Sequence, residues 1–406
     1  MKPKNIILFA IAAIMAFVAC NKSEVALNNP PIQRGPVMAD PVKQPYTYLQ
    51  NKYIDALLKY EFKKQGKPYD SEKYSYDEKR KMVDILDLEK EKYEYEETKE
   101  DVVFYAELEK KLMSEINSHP YVKKFVERFA LKEVCDEDDM MIIIGEDDTD
   151  VIAKFQILQY YEDGFDIFER YLEREKLSGE EEWNLFPMGY YKPDEPEDPK
   201  LKGVRYTLVS RWGKTINYLN LNASSTAMSV SSNAMSQWKT AANNKITFSE
   251  MANTAWNKTC WVMGWKWFIR FSNISGNVSY STYGYVPWAM IQLTNSPDTA
   301  TCLHELGHSL CLYHEHQRPD RDNYIKYHSN NVQSNFAYAF FKMVEGSYNY
   351  HGSAFDFNSI MLYTCYSFSK NGQPTLTKKD GTTTWTYNDV KYLSATDKYV
   401  IKQMYP

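Results

Sequence analysis

Residues 304–322 read His304-Glu305-Leu306-Gly307-His308-Ser309-Leu310-Cys311-Leu312-Tyr313-His314-Glu315-His316-Gln317-Arg318-Pro319-Asp320-Arg321-Asp322. On an α-helix, positions i and i+4 share a face about one turn apart, so His304 and His308 can present their imidazoles to one metal ion. Glu305 stands beside them, where a carboxylate can hold and deprotonate a water. His314 follows six residues after His308 and adds a third nitrogen. Three nitrogen ligands with one position left open is the arrangement of a catalytic zinc; a structural site closes all four. Such a zinc lowers the pKa of its water from about 15.7 to about 7, so hydroxide is available at neutral pH.

Beyond the third histidine come Glu315, Arg318 and the run Asp320-Arg321-Asp322-Asn323-Tyr324, and some forty residues on, Ser359-Ile360-Met361-Leu362-Tyr363. Together these residues resemble the astacin family of metzincin zinc peptidases, whose pattern is HExxHxxGxxHExxRxDRD with a later SxMHY methionine turn. The likeness extends to Arg211–Tyr218, to Asn331-Val332, to Ser367–Gly372 and to the ending from Leu393 to Tyr405, and spans about residues 203–406. It implies an α+β, metzincin-like zinc peptidase domain, in which a twisted mixed sheet carries the active-site helix above a mostly irregular and helical lower subdomain. It implies a hydrolase, a zinc metalloendopeptidase with Zn2+ as cofactor and proteins or peptides as substrates. His304, His308 and His314 are then the zinc ligands and Glu305 the general base. Met361 packs beneath the metal. Tyr363 approaches the zinc at rest and steadies the oxyanion during reaction, a sensible role for a phenol on electrostatic grounds as well.

The sequence departs from the family at two places. Cys311 stands where the pattern has the glycine that ends the active-site helix, and a left-handed turn there costs a residue with a Cβ about 1–2 kcal/mol. The turn is therefore strained, rebuilt or pinned by a cysteine bond. Leu362 follows Met361 where histidine is usual. His316, Glu315 and Arg318 are read as structural around the site.

The chain has 406 residues, enough for two or three domains, and 43% hydrophobic content is enough for a sizeable core. Its net charge of −6 conceals an asymmetry: residues 1–200 carry 29 basic against 43 acidic side chains, residues 201–406 carry 19 against 11. This argues against nucleic-acid binding by the whole chain and permits docking of the N-terminal half on the catalytic half; a solvated acidic helical surface is the plainer alternative. Lys2 and Lys4 precede an apolar run from Ile6 to Ala19 that is too short to span a membrane. It ends in Ala19-Cys20, which resembles a bacterial lipobox, so the expectation is an exported, membrane-anchored lipoprotein lipidated at Cys20; an ordinary secretory signal peptide is the alternative. Multiple acyl chains give durable anchoring. Five cysteines remain of the 6, an odd number, and none has CxxC spacing.

The expected organisation is a signal peptide over 1–19, a proline-punctuated tether over 20–45, an acidic, mainly helical N-terminal domain over 46–198 and the catalytic domain over 199–406. Apolar residues at three- and four-residue intervals predict helices over Tyr48–Lys64 and Asp77–Asn117, and Met140–Ile144 predicts one strand. The Pro- and acid-rich residues 183–200 mark the boundary. After it, Val204–Leu221, Trp265–Phe271 and Trp288–Thr294 predict strands and Asn233–Asn243 a helix. By resemblance the strand before the active-site helix is a sheet edge that pairs with extended substrate, with Ile291 and Leu293 on one face and Gln292 on the other.

Two readings of the N-terminal half stand. It is a zymogen-like inhibitory propeptide, for which Asp163–Asp166, Phe186–Gly189 and Cys135 are the only echoes of a zinc-blocking switch, or a permanent accessory module. For the whole chain, the reading from a different class is a catalytically inactive, membrane-anchored binding protein on a peptidase fold, with Cys311 the one feature pointing that way.

Overall fold

The computed structural model describes residues 39–129, 141–143, 151–164, 211–274, 279–340, 342, 351–383 and 392–406. The signal segment, Cys20, most of the tether, Cys135, Phe165-Asp166 and the stretch 183–200 lie outside the described residues, as does the 204–210 part of the expected first strand. The chain divides into two compact units. Unit 1 comprises Met1–His119, Leu158–Gly164 and Thr254–Thr259; unit 2 comprises Pro120–Ile157, Phe165–Asn253 and Cys260–Pro406.

Unit 1 contains α1 (Pro45–Lys64), α2 (Tyr76–Lys92) and α3 (Lys99–Ser118). Proline at the start of α1 sits where a helix has no use for its amide hydrogen, and Lys63 and Lys64 complement the helix dipole in the last turn. The single helical run expected over Asp77–Asn117 is two helices. Glu94 takes a left-handed φ of 46°, and Thr98 starts α3 with a capping box to Asp101. A threonine side chain that satisfies free amides begins a new helix more readily than it continues an old one. Ser75 and Glu78 start α2 in the same way. Ile54, Leu57, Leu58, Met82, Leu86, Leu112 and Ile116 are buried at helical spacing and make the core.

Unit 2 opens with α4 (Pro120–Phe129), a β1–β2 pair (Met141–Ile143, Val151–Ala153) and α5 (Lys154–Glu162), whose last residues belong to unit 1. Further along come β3 (Thr215–Asn220), α6 (Ser225–Ala241), β4 (Thr247–Glu250), α7 (Ala255–Val262), β5 (Ile269–Asn273), β6 (Tyr280–Ser281), β7 (Met290–Leu293) and α8 (Thr299–Ser309). The sheet order is β4-β3-β5-β7-β6, parallel except for β6. The second layer is α6 and α8, with α9 (Ala395–Met404) packed on α6. Helix α6 begins eight residues earlier than expected. Ser224 caps it, and Ala227, Ser231, Ala234, Met235, Trp238 and Ala241 form its buried face. Its serines and alanines give a weak apolar periodicity, but their small size lets α8 approach closely.

The expected edge strand is a correction. β7 lies between β5 and β6, because the chain folds back and pairs Tyr280 with Gln292 and Ser281 with Ile291. All four β7 residues are buried, Gln292 included. After α8, short 3-10 turns and the pair β8 (Ile325–Tyr327) and β9 (Leu376–Lys378) surround a second core of Ile325, Val332, Phe336, Phe340, Leu362, Tyr363 and Leu376. Ile360 and Met361 belong to the first core and Leu362 and Tyr363 to the second. The chain therefore crosses between the two cores of unit 2 at this tetrapeptide.

Candidate metal centre

Helix α8 is buried along almost its whole length, which is unusual for a helix carrying two histidines and a glutamate. Asp298 caps its start, accepting from the Thr301 amide at 2.7 Å. Two indoles from elsewhere in unit 2 donate to its carbonyls, Trp238 to Leu303 at 3.0 Å and Trp212 to Ser309 at 2.8 Å. Gly307 lies against the methionine turn. A Cβ placed there would stand 2.5 Å from the Met361 Sδ, so only glycine lets the helix and the turn meet.

The helix ends in a Schellman turn. The Leu312 amide donates to the Gly307 carbonyl at 2.9 Å and the Cys311 amide to His308 at 2.8 Å, with Cys311 left-handed at φ 73°. The turn keeps the geometry that glycine would supply. Of the three outcomes open to it, strain is the one adopted, since Cys311 is in no disulfide, and neither are Cys260, Cys302 and Cys365, among the described residues. Burial pushes the Cys311 thiol up to about 12. The turn also returns the Leu312 carbonyl to His308 Nδ1, at 2.8 Å.

His304, His308 and His314 converge. Their candidate ligand atoms all lie within 4.8 Å of one another, with Nε2–Nε2 distances of 3.0 Å from His308 to His304 and 3.2 Å from His304 to His314. The far side of each ring determines what those nitrogens are. His304 Nδ1 is 2.8 Å from the Ile360 carbonyl, His308 Nδ1 2.8 Å from the Leu312 carbonyl and His314 Nδ1 3.1 Å from Gln317 Oε1. An oxygen acceptor obliges Nδ1 to carry the proton and donate, which leaves Nε2 a bare lone pair in the neutral ring. Three lone pairs facing one another are reconciled by a shared cation. Tetrahedral zinc with Zn–N bonds of about 2.0–2.1 Å sets neighbouring nitrogens about 3.3 Å apart, close to the distances found. The donor set thus fits zinc, and the carbonyl and amide partners are the outer support that such sites need.

Glu305 is buried, 4% exposed, in the chain position between the first two histidines. The Tyr363 ring centroid is 4.4 Å from that of His314 and 4.0 Å from that of His316, whose Nε2 is fixed on the Ala339 carbonyl at 2.9 Å. Behind His314, the fully buried Arg318 donates to Glu315 at 2.9 Å and, in a two-point pair, to Asp320 at 2.9 Å on each oxygen. Burial raises the Glu315 carboxyl to about 7 even though Arg318 and the Asp356 amide work against it. Asp397 of α9 accepts from Ser359 Oγ at 2.7 Å and from the Ile360 amide at 3.0 Å, tying down the residue whose carbonyl orients His304.

The candidate metal ligands His304, His308 and His314, with Glu305, Cys311, Met361 and Tyr363, are therefore brought to one locality of unit 2, while Cys20, Cys135 and Phe186–Gly189 lie outside the described residues. Sequence reasoning missed Gln317, Tyr283 and the role of Asp397. Gln317 stands three residues after His314 and was within reach of inspection. Tyr283, whose ring is 4.5 Å from His308, lies in a tyrosine-rich stretch with no distinguishing signal.

Residues 205–406 match the sequence model described as Astacin (Peptidase family M12A). Among curated proteins, the chain is 32% identical over 199 residues to Protein SpAN of Strongylocentrotus purpuratus, covering 48% of this chain and 31% of that one. It is 33% identical over 172 residues to Blastula protease 10 of Paracentrotus lividus, covering 42% and 28%. The chain thus spans about three tenths of the length of these relatives. Among solved structures, high choriolytic enzyme 1 of Oryzias latipes, a hatching enzyme zinc-protease, is 23% identical, covering 48% of this chain and 94% of that one, with a TM-score of 0.40. Residues 205–406, with their three-histidine centre, form a domain of the astacin family of zinc metallopeptidases, peptidase family M12A.

Proposed function

We propose that this chain is a zinc-dependent endopeptidase in which His304, His308 and His314 hold the metal and Glu305 is the general base. The observation that carries the reading is the convergence of three Nε2 atoms whose opposite ring nitrogens all face oxygen acceptors. Zinc, once bound, supplies a Lewis acid that acidifies water and polarises a peptide carbonyl. Glu305 takes the water proton and returns it to the amine as the C–N bond breaks. A buried carboxylate meets little competition from solvent for that proton. Tyr363, packed against the His314 and His316 rings, is the phenol available to steady the developing oxyanion. The proposal extends to the rest of the chain: proteins or peptides as substrates, export, lipid anchoring through Cys20, and docking of the N-terminal half on the catalytic half.

Casein cleavage by the zinc-loaded chain tests this, beside Glu305→Ala and Tyr363→Phe. Glu305→Ala should lower kcat by at least about 100-fold while keeping one zinc per chain, as removal of a general base does. Tyr363→Phe should lower kcat with little change in KM. A wild-type chain that is folded, zinc-loaded and inert would instead favour a binding protein on a peptidase fold.

A further inference from the structure

Unit 1 joins three helices from the N-terminal half to six residues, Thr254–Thr259, taken from inside the segment matched by the family model. Those six residues open α7. The first amides of a helix have no partner within it, and here each of the first three finds an oxygen. Glu97 accepts from Ala255 at 2.7 Å with one carboxylate oxygen and from Trp256 at 2.6 Å with the other, and Thr254 Oγ1 accepts from Asn257 at 3.1 Å. A carboxylate spanning two helix-start amides also answers the positive end of the helix dipole.

The side chains repeat the pattern. The Trp256 indole, 3% exposed, donates to Asp87 of α2 at 2.8 Å. Lys90 Nζ lies 4.7 Å over its ring, and the Tyr105 ring meets it in a T-shape at 5.8 Å. One turn on, the Thr259 hydroxyl donates to Glu109 of α3 at 2.5 Å. Lys90 is itself held by Glu61 at 3.3 Å, and Glu61 also accepts from the Tyr105 hydroxyl. An acceptor for the indole N–H, a cation over its face, an aromatic edge and a carboxylate for the helix start make a pocket shaped for a tryptophan at the second position of a helix. Unit 2 holds a separate aromatic contact between the halves of the sequence, Phe155 to Trp288 at 6.0 Å.

We infer that residues 45–119 form a recognition surface for the Trp256 helix start, and that this grip keeps the N-terminal half bound after the chain between the halves is cut. The N-terminal half is then a retained module, and breaking the pocket weakens its hold. The inference rests on the docking part of the proposal above and not on its catalytic part, so a failed peptidase assay leaves it untouched.

The test uses the full chain with a site-specific protease sequence inserted after Asp198. The cut protein is diluted through a concentration series on a sizing column. The expected result is co-elution of the two pieces in wild type, and separation at a concentration at least about tenfold higher for the double variant Glu97→Ala with Asp87→Asn. Both changed side chains are only partly buried, so the uncut variant should match wild type in circular dichroism and elution. Trp256→Phe, which keeps the ring and removes the N–H donor, should fall between the two. Separation of the wild-type pieces at every concentration overturns the inference, and so does a double variant whose pieces separate at the wild-type concentration.

Discussion

Cys311 occupies a left-handed turn at φ 73°, where the clash of its Cβ costs about 1–2 kcal/mol. Glycine relieves that clash but loses about 0.5–1 kcal/mol through the freedom it adds to the unfolded chain. Cys311→Gly is therefore expected to gain at most about 1.5 kcal/mol by thermal denaturation, and Cys311→Val, which brings a branched side chain to the same φ, to be less stable than wild type. A valine variant as stable as wild type would mean the turn can rebuild itself. Burial pushes the Cys311 thiol up to about 12, which favours the protonated form at neutral pH. Gly307 is the stricter residue. Gly307→Ala drives a methyl into the Met361 sulfur and should destabilise the chain by about 1–3 kcal/mol, with weaker zinc binding in a competitive chelator titration.

At the scale of elements, α9 acts on the metal site without touching it. Asp397 closes the capping box of α9 with Ser394 and at the same time accepts from Ser359 and Ile360. Asp397→Ala leaves those buried donors unpaired at a cost of about 1–3 kcal/mol and loosens Ile360, whose carbonyl orients His304. The expected result is a lower zinc affinity by chelator competition, with the three histidines intact; unchanged affinity would make Asp397 a cap and nothing more. Asp101 in helix α3 gives unit 1 one acid-side pH dependence. Burial works to raise the Asp101 carboxyl, but Lys64, the Thr98 amide and hydroxyl and the Tyr95 hydroxyl outweigh it and hold the group below its ordinary 3.8. A depressed folded pKa means the unfolded chain binds the proton first as pH falls. The stabilisation is complete above the unfolded value and is lost as pH drops below about 4 towards the folded one. The protection of the α3 amides, with intrinsic exchange divided out, should fall below pH 4 in wild type, and Asp101→Asn should be poorly protected already at pH 7, with a flatter pH response.

For the whole molecule, zinc is the expected link between site and stability. A ligand that binds only the folded state stabilises by RT ln(1 + [L]/Kd), about 4 kcal/mol at a thousandfold excess over Kd. Chelation should lower the thermal midpoint of unit 2, read by near-ultraviolet dichroism of its buried tryptophans, and restored zinc should reverse it. No helix among the described residues is long and apolar enough to cross a membrane.

What the sequence determined by itself is whatever depends on spacing along the chain. The i, i+4 repeat placed His304 and His308 on one helical face, the pattern through Tyr363 carried the family resemblance, and apolar periodicity separated a helical N-terminal half from a mixed catalytic one. These readings need only covalent geometry and local propensity. The tertiary structure decided what depends on partners from distant segments. It supplied the Ile360 carbonyl that gives His304 its tautomer, the β6 strand that covers the expected edge of β7, and the Glu97, Asp87 and Lys90 pocket around Trp256. It also decided that Cys311 bears the turn strained, because the bonds from Leu312 to Gly307 and from His308 to Leu312 form only there. Such contacts leave no periodic trace in sequence, since each joins residues that chain closure alone brings within reach.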